Sequence, residues 1–130
     1  MNDRASTGDI LALQELVALY GHLIDAREFD QLGRVFTSDA TFDASSFGAK
    51  TCRDLAELQV MMATETRHPV AHHATNVLVE LLDPLHARIR SKGLAVSRRG
   101  TVTSLVYEDR AVRTTEGWRI SSRTAFPLPR

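Results

Sequence analysis

The feature that most constrains this chain is a change of period at Pro69. Before it, apolar residues recur every three or four positions. After it they alternate with polar residues, and β-branched side chains become frequent. The first texture belongs to amphipathic helices and the second to half-buried strands. A chain that runs helices first and strands afterwards is α+β rather than a doubly wound α/β protein.

The helical half divides into three. Asp9 to Asp25 reads as a helix, because Ile10, Leu13, Val17, Tyr20 and Ile24 fall on one stripe, with Ser6, Thr7 or Asp9 available as its N-cap. A shorter helix is expected to follow, with Phe29, Leu32, Val35 and Phe36 inward. Thr37 to Phe47 reads as short extended segments around Ala40-Thr41-Phe42-Asp43, ended by Gly48. The spacing predicts a third helix from near Thr51, where Thr51-Cys52-Arg53-Asp54 resembles a capping box. Leu55, Leu58, Met61 and Met62 form its apolar face, and Pro69 ends it.

Four strands are predicted beyond that point: Ala71–Leu82, His86–Ser97, Thr101–Thr114 and Trp118–Phe126. They are separated by Asp83-Pro84, Arg98-Arg99-Gly100 and Glu116-Gly117, all good turn chemistry. The expected architecture is an antiparallel meander with the helices covering one face of a curved sheet. Residues 1–8, mostly polar and with no apolar core, are expected to be a flexible N-terminus, and 9–130 a single domain. Arg88, Arg90 and Lys92 alternate along one strand, which reads as a solvated face, with a phosphate-binding patch as the alternative.

Charge and cysteine usage exclude several classes of function. Sixteen basic and sixteen acidic side chains cancel, so no net field draws the chain toward nucleic acid or a membrane surface. With Cys52 as the only cysteine, neither an intrachain disulfide nor a thiolate metal cluster can form, which suits a reducing cytoplasm. No apolar run approaches the ~20 residues needed to span a bilayer. A cytoplasmic location is the expectation.

The chemistry-bearing residues cluster in two segments. One is the end of the first helix, Tyr20 to Arg27, which contains Asp25. The other is His72-His73-Ala74-Thr75-Asn76, at the start of the first predicted strand. In a regular strand His72, Asn76 and Leu78 share a face while His73, Thr75 and Val77 take the other. Adjacent histidines therefore cannot chelate one metal. His68, of the same parity as His72, would lie ~13 Å away at ~3.3 Å per residue, so no metal site is expected. Asp25 stands where the helix macrodipole disfavours a carboxylate, which suggests a purpose beyond the helix. Set against His72, it would fix the tautomer of that imidazole and stabilise its cation. His72 could then take a proton from carbon and return one to a leaving oxygen, a chemistry that needs no cofactor. No Gly-rich phosphate loop, G-x-S-x-G elbow or Cys/His nucleophile context is present.

Several motifs occur in a telling order: Leu23-Ile24-Asp25-Ala26-Arg27-Glu28-Phe29-Asp30, Val35 to Asp43, His72 to Asn76, and Gly117-Trp118-Arg119-Ile120. From about Asp9 to Phe126 the chain resembles the SnoaL-like branch of the nuclear transport factor two-like superfamily. The resemblance implies a cone, in which a curved, mostly antiparallel sheet wraps around three N-terminal helices and encloses an apolar cavity. It also implies a homodimer formed through the sheet and a hydrophobic small-molecule ligand. In the family's dehydratases an Asp ends the first helix and a His begins the long strand, and Asp25 and His72 fall on those positions. The same resemblance makes Tyr20, Asn76 and Arg123 candidates for substrate binding, and Tyr107 is a further candidate as a substitute for family machinery that this chain lacks.

This chain departs from scytalone dehydratase at three places. Ile24 and Ala44 stand where that enzyme has tyrosines, and the segment Ser91–Arg99 lacks its second histidine. The scytalone reaction itself is therefore not expected. Arg123 has opposite parity to Trp118 and Ile120, so it shares their face only if a β-bulge intervenes. The reading that follows is a cofactor-free dehydratase, isomerase or cyclase acting through Asp25 and His72. The alternative is a non-catalytic binding or assembly module of the same fold.

Overall fold

The computed structural model describes residues 6–129. Helix α1 spans Thr7–Asp25, capped by the Ser6 side chain accepting the Asp9 N–H. Ser6 to Gly8, expected to be flexible, are thus the cap and first residues of α1; residues 1–5 lie outside the described residues. The helix buries Leu13, Leu16, Val17, Tyr20, Leu23 and Ile24. It stops where Arg27 turns left-handed at φ 57° and the Glu28 N–H returns to the Leu23 carbonyl at 2.9 Å.

The expected second helix is a 3-10 segment, Phe29–Arg34. Phe36 belongs instead to the first strand, β1 (Phe36–Asp43), so the extended segments expected around Ala40 are one continuous strand. The third helix begins later than predicted: α2 spans Leu55–Thr64, with Asp54 as N-cap accepting the Glu57 N–H at 2.8 Å. The Glu57 side chain reaches back to the Arg53 N–H at 2.9 Å, which completes a box one turn downstream of the predicted one. Cys52 is consequently not in a helix cap. It pairs with Phe42 in an isolated antiparallel bridge and is buried against Met61.

The four later strands are β2 (Ala71–Asp83), β3 (His86–Val96), β4 (Val102–Thr114) and β5 (Gly117–Leu128). They form the expected antiparallel meander, and β1 adds parallel to β5, giving the order β1-β5-β4-β3-β2. Strand β3 alternates without a break, with Ala87, Ile89, Ser91 and Ala95 buried while Arg88, Arg90 and Lys92 face out. Arg88 pairs with Glu80 at 3.1 Å on that solvated face. Helix α1 packs against β2 and β5, so the curved sheet brings its far edge strand back onto the first helix. The core lies between them.

Two bulges decide which residues face that core. The β4–β5 register shifts between Arg110 and Ala111, leaving Ser121 unpaired. Trp118, Ile120, Arg123 and Ala125 are therefore all buried, as the parity of Arg123 required. The β2–β3 register shifts between Thr75 and Leu78, where Asn76 adopts a left-handed φ of 54°. His72 faces inward before this bulge, and Val77, Val79 and Leu81 pack against the core after it.

Candidate active site

Asp25, in the last turn of α1, holds His72 twice. Its Oδ1 lies 2.7 Å from His72 Nδ1, and its Oδ2 accepts the His72 backbone N–H at 2.9 Å. The His72 side chain is 7% exposed and that of Asp25 29%. With Nδ1 taken by the carboxylate, Nε2 is the ring nitrogen left for chemistry. The approach of the two elements is set by Gly21, one turn before Asp25. A Cβ there would come within 2.8 Å of the His72 carbonyl oxygen.

Two concavities meet at His72. The larger, of about 510 Å³, lies between the helices and the sheet and is lined mainly by apolar groups such as Phe42, Phe47, Met61, Met62, Leu105 and Ala125. Its half-buried or buried polar side chains are Tyr20, His68, His72 and Tyr107, whereas Glu65, Arg67 and Thr103 are exposed. The smaller, a groove of about 270 Å³ between α1 and β2, is lined by Val17, Ala18, Gly21, His22, Asp25, His73 and Ala74. Tyr20, His72 and Tyr107 line both. Asp25 thus meets solvent through the groove while His72 borders the main cavity.

The tyrosines rest on a buried ion pair that the sequence reading missed. Arg123 donates from Nε and Nη2 to the two carboxylate oxygens of Asp109 at 2.8 and 2.9 Å, and both side chains are fully buried. Its guanidinium lies 4.4 Å from the Tyr20 ring centre and 4.1 Å from that of Tyr107. Burial works against the Arg123 charge, but the adjacent carboxylate outweighs it and holds the guanidinium protonated. Burial also pushes both tyrosine hydroxyls above their ordinary value, so they are neutral donors at physiological pH. Asp109 was legible in principle: it stands in the inward row with Tyr107 and Ala111, where a lone carboxylate needs a partner.

The predicted ligand-binding residues fare differently. Tyr20 and Tyr107 line the cavity. Arg123 does not: it faces inward but lies behind the two rings, occupied by Asp109. Asn76 is exposed and lines neither concavity. The bulge overturns the expectation that Asn76 and Leu78 share the face of His72, and Leu78 is 70% exposed.

His68 is nearer than a straight strand allows. Strand β2 begins only at Ala71, and the chain bends before it, so the His68 and His72 rings stack with centres 4.7 Å apart and planes at 28°. Burial, then the charge of His72, lower the pKa of His68 below its ordinary 6.5. No group of three or more His, Cys, Asp or Glu side chains suited to a metal ion occurs among the described residues. No helix among them is long and apolar enough to cross a membrane.

Comparison with known proteins agrees with this architecture. An uncharacterised protein of Mycobacterium tuberculosis, Rv2910c, is 34% identical over 125 residues, covering 92% of this chain and 85% of its own. The structure of a proposed aromatic ring hydroxylase from Novosphingobium aromaticivorans superposes with a TM-score of 0.80 at 26% identity, covering 98% of this chain and 94% of the other. A hexachlorocyclohexane dehydrochlorinase, LinA-type3 from Novosphingobium barchaimii, shares the fold with a TM-score of 0.76 at 19% identity, over 95% and 91% of the two chains. The SnoaL-like domain model matches residues 5–124, and the chain belongs to the SnoaL-like family.

Proposed function

We propose that this protein is an acid/base enzyme, a lyase or isomerase, acting on a hydrophobic cyclic small molecule in the main cavity. The observation that carries the reading is the double hold of Asp25 on His72 at the wall of that cavity. The backbone contact fixes where His72 sits, and the ring contact fixes its tautomer. Nε2 then takes a proton from a carbon of the substrate, and the carboxylate stabilises the imidazolium that forms. The same nitrogen returns the proton to another carbon in an isomerisation, or to a leaving oxygen in an elimination. The neutral hydroxyls of Tyr20 and Tyr107 can donate to developing negative charge, and Arg123 supports them from behind as a positioning residue. None of these steps calls on a cofactor.

The dehydrochlorinase and hydroxylase among the structural relatives fit a family that handles apolar ring compounds. A homodimer through the outer face of the sheet belongs to the same reading, supported by exposed Leu78, Leu94 and Val102 on neighbouring strands.

The test follows loss of the α-protons of 2-tetralone in D₂O by NMR, since this bicyclic ketone reports proton abstraction from carbon whatever the natural substrate. The protein is expected to accelerate exchange, and Asp25→Asn to lower that rate by on the order of 100-fold or more with the fold intact. Exchange no faster than in buffer, or unchanged in Asp25→Asn, would reject the catalytic reading in favour of a binding module.

A further inference from the structure

We propose that His68 is a second substrate-contacting imidazole of the main cavity, hydrogen-bonded to the oxygen of a cyclic ligand whose carbon faces His72. The proposal rests on reading the cavity as a small-ligand site.

A cyclic ketone or alcohol brings one polar atom into a largely apolar space, and that atom must find a partner there. Glu65, Arg67 and Thr103 are exposed, and Glu65 already accepts the Arg67 N–H at 2.8 Å. Tyr20 and Tyr107 line the same space with their rings packed against the Arg123 guanidinium, and their hydroxyls can share the ligand oxygen with His68. His72 is engaged with Asp25 and has one free nitrogen, which the reaction at carbon uses. His68 is the remaining half-buried polar side chain, and it lies flat against His72 with ring centres 4.7 Å apart. Two stacked imidazoles present their ring edges side by side, so adjacent atoms of one ligand can meet both. That suits a carbonyl carbon skeleton, where the acidic C–H is next to the carbon bearing the oxygen.

The charges around His68 favour this division of labour. His72 stacks on it from β2, Asp25 acts on it from α1, and Glu65 is its neighbour after α2; of these, His72 opposes a proton on His68. When His72 gains the proton from carbon, His68 is held neutral, with its one N–H set to the Pro69 backbone carbonyl and its other ring nitrogen free to accept the hydroxyl hydrogen of a cyclic alcohol or enol.

The test compares binding of naphthalene and of 2-naphthol, which copies the enol of 2-tetralone, by equilibrium dialysis. The wild-type protein is expected to prefer 2-naphthol, and His68→Phe to lose at least fivefold of that preference while holding naphthalene unchanged. His68→Gln, which retains a hydrogen-bonding group, is expected to recover part of it. His68→Leu serves if the Phe ring is not tolerated. A merely structural role would weaken both ligands together. The proposal is overturned if the preference survives in the His68 variants, if it is absent in the wild type, or if it is lost only in His72→Phe. Those outcomes leave the 2-tetralone exchange reading standing. Failure of the wild type to bind either ligand overturns both.

Discussion

Gly21 and the carbonyl of His72 approach so closely that a single methyl group at Gly21 would lie 2.8 Å from the carbonyl oxygen. A helix and an edge strand can draw together this far only where the helix has no side chain. Asp25, one turn on, inherits its reach to His72 from that contact. Gly21→Ala therefore sets two effects against each other. Alanine favours the helix interior by about 1 kcal/mol, while its Cβ pushes against a strand backbone that cannot turn aside. We expect a variant that still folds but exchanges 2-tetralone protons at least tenfold more slowly. Wild-type exchange together with a raised melting temperature would show that the close approach is not needed.

The Asp109–Arg123 pair is expected to matter more when broken than when removed. Asp109→Asn leaves a fully buried guanidinium without its counter-charge, and the cost should be about 3–5 kcal/mol in urea unfolding. Asp109→Leu combined with Arg123→Met removes both charges and should lose less than the single variant. A single Asp109→Asn within about 1 kcal/mol of wild type would count against the ion pair as the support of Tyr20 and Tyr107.

His68 should leave a signature in acid. Its folded-state pKa is depressed, by burial first and by His72 second, from an ordinary 6.5. Below that ordinary value the unfolded chain takes up a proton that the folded one resists. Stability is thus full above it and falls as the pH drops through the depressed folded value. As the pH falls below 6.5, stability should decline less steeply in His68→Gln than in wild type. Identical slopes would contradict the half-buried, neutral imidazole.

Asn76 provides a test of a site residue that the bulge displaced. Its φ of 54° suits Asn or Gly and penalises a β-branched side chain by roughly 1–2 kcal/mol. Asn76→Gly should therefore be neutral for stability and for 2-tetralone exchange, and Asn76→Val should lower the melting temperature. A large loss of exchange in Asn76→Gly would return Asn76 to the ligand site.

Much of the fold was legible because local patterning carries it. The stripe of α1 and the alternation of β3 each mark a buried face without reference to the rest of the chain. The turns at Asp83-Pro84 and Glu116-Gly117 carry their own chemistry. The start of α2 was misread because Thr51 and Asp54 both offer capping side chains, and only the Phe42–Cys52 bridge keeps Thr51 and Cys52 extended. The place of Arg123 was conditional in the sequence, since parity demanded a bulge without locating it. Asn76 went wrong for the same reason, because a strand read as regular contained a bulge.

By itself, then, the sequence determined the α+β order of elements, and with its family resemblance it singled out Asp25 and His72. Those are properties of period, spacing and residue type along the chain. The tertiary structure alone decided that Gly21 lets the pair close, that Asp109 claims Arg123, and that His68 folds back onto His72. Each of these depends on a backbone approach, a bulge or a bend. Such features change which atoms meet across the core without changing the local pattern that a sequence displays.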